Sequence, residues 1–332
     1  MRKKIVIFSL ILLLSSIIYL FTFVVSQWNL IMYNLNDPVR FNLMLPSILQ
    51  ILLRRGIQII ALMMVGILTA MTTVSFQTMT QSRILTPAVI GFDSLYIMIQ
   101  ATLVFFFSGL QTIYQNPWIN FFFSFIVMSG TTILIYMSVL RKNKNNIILL
   151  LLIGLVISTL ASNYVNLLQV LMNPESFQTV QSLTNVSVVD IETNLVWIVL
   201  PIMGGVLFWL YKKHYVYDVM LLGEEMSINL GVNYNRESLI NLVLISLAVS
   251  AATALVGPLS FLGLLAANLT KEIFKDYRHK WVYIFASFIA MITLILGQSL
   301  IELTGFKTTV TTLISLIGGI YMMILIIKEH RI

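Results

Sequence analysis

Polar side chains recur at helical spacing inside one long apolar stretch, and such a face could line a path for a polar solute. They are Thr159, Ser162, Asn163, Asn166 and Gln169. Residues three and four apart share one face of a helix, and amide groups in hydrocarbon are costly unless they meet partners or water. Hydrogen bonding between neighbouring helices explains the pattern equally well. A second and weaker face carries Thr308, Thr312 and Ser315, where close helix packing is the alternative.

The remaining reactive residue types form no catalytic or metal-binding pattern. The chain has no cysteine, and its three histidines, His214, His279 and His330, lie in charged segments without metal-ligand spacing. We interpret them as solvated loop residues. No glycine-rich loop ends in Lys-Ser or Lys-Thr, and no Ser, His and Asp arrangement indicates a hydrolase. The chain is therefore predicted to be no enzyme, to hydrolyse no ATP itself, and to bind no metal or cofactor directly.

The elements that must position these residues are apolar helices. Of 332 residues 58% are hydrophobic and only 10% charged, against about a quarter charged in soluble domains. Continuous apolar runs match the length of a membrane-crossing helix and lack the alternation of a β-barrel. We predict an all-α polytopic membrane protein with about ten transmembrane helices. Their approximate ranges are 5–25, 56–76, 88–108, 118–139, 147–171, 194–211, 238–257, 259–274, 281–299 and 309–327.

The distribution of basic residues predicts the orientation in the bilayer. With both termini cytoplasmic, 16 of the 20 lysines and arginines fall on the inner side and four outside, which follows the positive-inside rule. The net charge of +7 then reflects inner loops rather than nucleic-acid binding. The first stretch is too long for a signal peptide and lacks a cleavage site, so we expect a retained span. The whole chain, 1–332, is predicted to be one transmembrane domain with a cytoplasmic loop at 211–237.

Within that loop, the segment LLGEEMSINLGVNYNR has the pattern of a docking helix. Two glutamates follow Gly223, the apolar residues Met226, Ile228 and Leu230 come next, and Gly231 is a suitable C-terminal stop. The alternative is an amphipathic helix lying on the bilayer. Two adjacent glutamates suit an anionic inner leaflet poorly, which favours docking of a cytoplasmic partner.

Three charged residues lie near predicted span ends. Arg54 and Arg55 fall at the external mouth of the second span, where they could be membrane-interface anchors or a basic patch for an acidic external partner or anionic substrate. Their external placement against the positive-inside bias favours the patch. Asp93, near the internal end of the third span, is isolated from other ionisable residues. A proton relay is possible in principle, but we expect a helix N-cap or interfacial role.

Three ordered segments together resemble the permease subunits of bacterial iron–siderophore ABC importers, the family that includes the vitamin B12 permease. The similarity extends from about Leu52 to Ile327. The segments are the stretch from GIQIIAL to IGFDSLY, then LGEEMSINLGV, then GPLSFLGLLAANLTKEI. The residues that fit the family motifs are Gln77, Pro87 and Gly91, then Leu222, Gly223, Leu230 and Gly231, and finally Gly257, Pro258, Phe261 and Gly263.

The chain departs from the family pattern in three places. Ala266-Ala267-Asn268 replaces a common Pro-His, Gly318-Gly319-Ile320 replaces Gly-x-Pro, and Arg54-Arg55 replaces Arg-x-Pro-Arg. These variants resemble the branch that handles ferric catecholate-type siderophores, including anguibactin-, petrobactin- and enterobactin-like systems.

The resemblance implies a ten-helix permease in the bacterial cytoplasmic membrane that pairs with a second permease, identical or related. It implies an extracytoplasmic siderophore-binding protein docking on Arg54 and Arg55, and a path along the fifth and tenth spans. It also implies cytoplasmic ATP-binding subunits, the users of ATP, docked on the coupling residues Leu222, Gly223, Glu224, Glu225, Leu230 and Gly231.

The function that follows is import of a ferric siderophore into the cytoplasm by alternating access. Within the same family, haem or cobalamin is the alternative cargo. Outside it, the alternatives are a carrier or channel that works without ATP, which would depend on Asp93, and a scaffold or sensor that transports nothing.

Overall fold

A computed structural model describes residues 1–26, 38–107, 109, 114–142, 147–185, 191–305 and 308–329. Over these residues the regular structure consists of thirteen α-helices and one 3-10 turn at Pro87–Ile90. The helices are α1 (Arg2–Ser26), α2 (Pro38–Thr80), α3 (Phe92–Phe106), α4 (Pro117–Lys142), α5 (Ile147–Leu171), α6 (Pro174–Thr184), α7 (Thr193–Lys212), α8 (His214–Met220), α9 (Glu224–Asn229), α10 (Tyr234–Val256), α11 (Leu262–Phe274), α12 (His279–Leu303) and α13 (Val310–Glu329).

Seven of the described helices are long and apolar enough to cross a membrane. They are α1, α2, α4, α5, α7, α10 and α12, while α3 and the first part of α13 are apolar but shorter. The prediction of an all-helical chain with several membrane spans is confirmed, and each of the ten predicted ranges overlaps one described helix. By length and composition alone, seven of these helices qualify as spans.

Helix α2 lies at the centre of the packing. It contacts α12, α10, α11 and α7, and Leu62, Val65 and Leu68 on it are fully buried in the main apolar cluster. Small residues allow the closest approach, since a Cβ added at Gly66 would lie 3.1 Å from the backbone nitrogen of Met291. Such small-residue contacts are how membrane helices pack closely.

A second apolar cluster joins α3, the 3-10 turn and α5. Gly91 has a φ of 98° and connects the turn to α3, a conformation that favours glycine. A Cβ at Gly154 would lie 2.8 Å from the Cα of Ile90, so α5 touches the turn through backbone. The hydroxyls of Ser94 and Ser158 are 2.7 Å apart and add a polar contact between α3 and α5.

The boundary predicted between the spans 238–257 and 259–274 is present as a break at Gly257-Pro258. Helix α10 ends at Val256, Gly257 has a φ of 100°, and α11 begins at Leu262. The turn between them contacts α13, because a Cβ at Gly318 would lie 2.6 Å from the Cβ of Phe261. Gly263, in the first turn of α11, faces Thr73 of α2 equally closely, with an added Cβ only 2.0 Å from the threonine Oγ1.

Two short helices were not predicted. Helix α6 lies within the polar segment after the fifth predicted span, where the Asn173 side chain accepts a hydrogen bond from the backbone N–H of Ser176 at 2.8 Å. This is a standard N-cap, followed by proline at the first helical position. Helix α8 lies in the loop 211–237, where only one helix was expected.

Replacing Gly263 with alanine tests the close contact between α11 and α2. The new methyl group would collide with Thr73 and lie 2.9 Å from the carbonyl oxygen of Thr69, so the free energy of unfolding should fall by about 1–3 kcal/mol or more. Thermal melting of the detergent-solubilised protein measures this. Gly204→Ala is the matched control, because nothing lies within 4 Å of its added Cβ. Equal melting temperatures for both variants would contradict the contact.

Candidate functional site

The predicted docking helix exists as α9, and together with α8 it forms what we call the coupling segment, residues 214–231. Gly223, with a φ of 95°, separates the two helices, and Gly231, with a φ of 86°, follows α9. The backbone N–H of Gly231 donates to the carbonyl of Ile228 at 2.9 Å, which ends the helix as expected for a C-terminal glycine.

The outer side of the coupling segment presents apolar side chains next to acidic ones. Leu222, Met226 and Leu230 are about 60% exposed and Ile228 is 52% exposed. Glu224 and Glu225 in the first turn of α9 are exposed too. Exposed apolar patches with a polar rim mark interaction sites. This surface has the chemistry to bind an apolar groove with basic residues at its edge.

The inner side of α9 is anchored by Ser227, which is fully buried. Its hydroxyl is in hydrogen-bond contact with the carbonyl oxygens of Val219 at 2.9 Å and of Gly223 at 2.5 Å. Tyr234, at the start of α10, donates from its hydroxyl to the carbonyl of Met79 at the end of α2, at 3.0 Å. These hydrogen bonds on the buried side of α9 therefore fix the position of the exposed patch.

A buried histidine joins the coupling segment to α2 and α12. Asp218 of α8 accepts a hydrogen bond from the backbone N–H of His279 at 2.6 Å and lies 2.7 Å from its ring Nδ1. The other ring nitrogen lies 2.7 Å from the hydroxyl of Thr78 on α2. Gln81 adds a hydrogen bond from its side-chain nitrogen to the carbonyl of Met220 at 2.8 Å. Movement of α8 must therefore move the end of α2 or break these bonds.

The charge on Asp218 is stabilised by this contact. Burial raises the pKa of Asp218, but the hydrogen bonds from His279 outweigh burial and hold the pKa below its usual range. The interpretation of His279 as a solvated loop residue was wrong, since the side chain is 2% exposed. Its partner Asp218 is 61 residues away, so no local pattern pointed to the pair. His330 lies outside the described residues.

The motif residue Gln77 organises the chain that follows α2. Its side-chain nitrogen donates to the carbonyl of Arg83 at 2.7 Å, and its oxygen accepts from the ammonium of Lys271 at 2.7 Å. Asn268, in the place of a family histidine, donates to the same Arg83 carbonyl at 2.9 Å. The turn after α2 is therefore tied to α11.

The two predicted polar faces are on the outside of the described structure. Thr159, Ser162, Asn163 and Asn166 are exposed, Gln169 is half-exposed, and on the second face Thr308 and Thr312 are exposed and Ser315 is half-exposed. Helix α5 packs through its other side on α3 and the 3-10 turn, and α13 packs on α11 and α12. Over the described ranges α5 and α13 are not among the helix pairs that pack extensively on each other, so a single chain leaves the two faces apart. Within the described residues, the α5 face makes no hydrogen bond to another helix, so bonding between helices of this chain does not explain it.

The two predicted docking arginines differ in their surroundings. Arg54 is exposed. Arg55 forms an ion pair with the buried carboxylate of Glu302, and its guanidinium donates to the carbonyl of Tyr19 at 2.8 Å. The hydroxyl of Thr22 donates to the second oxygen of Glu302 at 2.8 Å. Arg55 thus joins α1 and α12 to α2. Because its guanidinium is already paired with Glu302, Arg55 is poorly suited to bind an external partner.

Asp93 lies in the first turn of α3 and accepts a hydrogen bond from Ser260 in the turn before α11. It is not the N-cap residue, because Gly91 occupies that position. Of the two expected roles, the N-cap was therefore wrong, and the interfacial role stays a prediction. Among the residues that the structure describes, no group of three or more histidines, aspartates or glutamates could hold a metal ion.

The fold is that of an ABC transporter membrane subunit. A chain of an inward-facing metal-chelate type ABC transporter superposes with a TM-score of 0.79, covering 99% of this chain and all of that one, at 19% sequence identity. Residues 6–328 match the FecCD transport family, and the chain belongs to that family. The resemblance inferred from the three motif segments is thereby confirmed, and the protein is a membrane protein.

Two curated relatives cover most of the chain. The petrobactin import system permease protein YclO of Bacillus subtilis (strain 168) is 38% identical over 281 residues, 84% of this chain and 89% of that protein. The petrobactin import system permease protein FatC of Bacillus anthracis is 29% identical over 310 residues, 92% of this chain and 86% of that protein. The FatD permease protein of the same description from Bacillus anthracis is 26% identical, covering 82% and 79%.

Removal of the Glu302 carboxylate tests the ion pair between Arg55 and Glu302. Glu302→Ala leaves the Arg55 guanidinium partly buried without its anion, which should lower the free energy of unfolding by about 3–5 kcal/mol. Thermal melting in detergent measures the loss. The double change Arg55→Met with Glu302→Leu should recover most of it, because an apolar pair replaces the charges. Lys212→Ala, at an exposed position near the end of α7, should change stability by only about 0.5 kcal/mol. A larger loss for Lys212→Ala than for Glu302→Ala would refute this assignment.

Proposed function

We propose that this chain is the membrane-spanning permease subunit of an ATP-driven importer that carries a ferric siderophore into the bacterial cytoplasm. The observation that carries the proposal is the coupling segment, an exposed apolar and acidic surface hydrogen-bonded to the central helix α2. Family membership supports the permease role. The relatives reported above are described as petrobactin permeases, which favours a siderophore over haem or cobalamin.

The proposed topology has ten transmembrane helices in one domain, 1–332, with both termini cytoplasmic and 211–237 as the coupling loop. It is supported by the overlap of ten described helices with the predicted ranges, and by the positive-inside distribution of lysine and arginine. Helices α3 and α11, with 15 and 13 residues, are shorter than a full bilayer crossing requires. They count as spans in this proposal because the separation of lysines and arginines, 16 on the inner side and four outside, holds only if each of them crosses.

In the proposed mechanism, two cytoplasmic ATP-binding subunits dock on the coupling segment and supply the energy. ATP-driven closure of these subunits displaces α8 and α9. Because Asp218, His279 and Thr78 join the segment to α2, the displacement is passed to the central helix. The permease performs no covalent chemistry and binds no cofactor.

The proposed pathway forms between two permeases, each contributing the polar faces of α5 and α13. These faces are exposed in a single chain. Exposure of this kind is required of a surface that a partner subunit covers in the assembly. FatC and FatD are two different chains of Bacillus anthracis with the same description. We therefore favour a second, related permease as the partner over an identical copy.

On the outer side, an extracytoplasmic siderophore-binding protein docks next to Arg54 and Arg55. Arg54 is the residue whose exposure suits direct contact with an acidic partner. Arg55 contributes by fixing α2 against α1 and α12 through Glu302.

Charge reversal on the coupling segment tests the proposed function. A complement carrying Glu224→Arg and Glu225→Arg should lower radio-iron uptake from one siderophore class at least about tenfold, which corresponds to roughly 1.4 kcal/mol of lost docking free energy. Uptake from catecholate and hydroxamate siderophores, haem and free iron is compared with a deletion strain. Membrane levels of the protein are measured in parallel.

Lys280→Glu is the control for this experiment, because it reverses an exposed charge at the start of α12, outside the coupling segment 214–231. It should support normal uptake. Unchanged uptake of every iron source in the deletion strain would refute the siderophore assignment. Full uptake by the double variant would refute the docking role of the two glutamates.

Asp218→Ala should uncouple transport while leaving the docking surface intact. The change removes the link to His279 but none of the exposed apolar residues of α9. Uptake should fall about tenfold, a change that lies within the range of roughly 1–3 kcal/mol typical of coupling free energies. The ATP-binding subunits should still co-purify with the variant. Asp276→Ala is the control, because that carboxylate only pairs with exposed Arg278. Normal uptake with Asp218→Ala, or loss of the ATP-binding subunits, would contradict the proposed link.

A further inference from the structure

A cavity of about 370 Å³ lies beside the coupling segment, where α2, α11 and α12 meet. Its volume is in the range of small-ligand sites. The polar and charged side chains that bound it include Gln77, Gln81, Arg83, Lys271, Tyr277 and His279. None of the residues that line it is acidic.

Among the residues that the structure describes, neither of the two positive charges of this cavity has an anionic partner. The ammonium of Lys271 donates to the Gln77 side-chain oxygen at 2.7 Å, which satisfies a donor but does not neutralise the charge. The guanidinium of Arg83 lies 5.6 Å from the centre of the Tyr277 ring. Within the described part of the chain, no carboxylate oxygen is within 4.0 Å of either cation. Arg83 is exposed at the mouth of the cavity, whereas Lys271 is half-buried. A charge partly withdrawn from water, as in Lys271, is costly unless it is paired.

The side chains that line the cavity favour an oxyanion as the ligand. Arginine presents a planar set of donors that matches phosphate and carboxylate, and lysine is a point charge that also binds phosphate. Ser82 and Gln81 add neutral donors at the same wall. We propose that this cavity binds a small anion with a phosphate or carboxylate group, held between Arg83 and Lys271. Its placement on the cytoplasmic side rests on the proposed topology.

A ligand at this position would contact the residues that hold the coupling segment. Gln81 lines the cavity and donates to the carbonyl of Met220, and His279 lines it and binds Asp218. Leu221, the residue after α8, is part of the wall. Occupancy would therefore stabilise the junction between α8 and α2, and the anion would be positioned to adjust coupling.

The test is direct binding of [33P]orthophosphate to the full-length protein in phosphatidylcholine nanodiscs, read by scintillation proximity. Wild type should bind saturably, and its melting temperature should rise with phosphate but not with chloride at equal ionic strength. Lys271→Met and Arg83→Gln should each weaken binding about tenfold or more, as expected for loss of a charged hydrogen bond. Lys212→Met, at an exposed lysine outside the cavity, should bind like wild type. Melting without phosphate confirms that each variant is folded.

A second arm replaces part of the lipid with phosphatidylglycerol, which separates a lipid headgroup from a free anion as the source of the oxyanion. If the headgroup fills the cavity, phosphatidylglycerol should displace orthophosphate from wild type and raise its melting temperature, but not that of the two variants. The proposal is overturned if neither phosphate source gives an effect that depends on Arg83 and Lys271, including the case in which the variants bind as wild type does. Because the assay uses neither iron nor ATP-binding subunits, its outcome is independent of the transport proposal.

Discussion

The close backbone contact of α2 with its neighbours is the constraint on which the rest of the structure depends. In a bilayer the hydrophobic effect contributes little to helix association, so close packing and hydrogen bonds must drive the association. Gly66 and Gly263 remove the side chains that would separate α2 from α12 and from α11. Where the helices meet, the polar contact between Ser75 and Tyr283 at 2.6 Å is enclosed by the apolar cluster. A chain that lost this approach would disturb the hydrogen bonds that α2 makes near both of its ends, through Gln58 and Thr78.

Helix α2 carries residues that matter at each of its ends. Thr78 meets the coupling segment through His279, whereas Gln58 accepts a hydrogen bond from the Tyr19 hydroxyl next to the Arg55 ion pair. The 21 residues from Gln58 to Thr78 span about 30 Å of helix, at about 1.5 Å per residue. One continuous helix therefore contacts the proposed ATPase side and the proposed binding-protein side. Coupling between them needs only a rigid-body shift of this helix, and no chain of side-chain rearrangements has to be invoked.

The parts of this structure that were predictable are those with a local pattern. Apolar runs located ten helices, Gly223 and Gly231 bracketed α9, and Gly257 with Pro258 located the break before α11. The polar partners were not predictable, because each pair is distant along the chain. Asp218 and His279 are 61 residues apart, and Arg55 and Glu302 are 247 apart. A single sequence indicates that a buried charge needs a partner, but not which residue supplies it.

The polar face of α5 sets the strongest requirement on the assembly. Ser162, Asn163 and Asn166 are exposed on the outside of the chain, and amides left in contact with lipid tails would be costly. Within the described residues no other helix of the chain accepts their hydrogen bonds, so water or a second subunit must do so. Two-fold pairing of like chains would bring such faces opposite each other around one path. Two related but different permeases would keep that geometry, and each could line its side of the path with different residues. In a pair of identical chains both sides of the path carry the same residues.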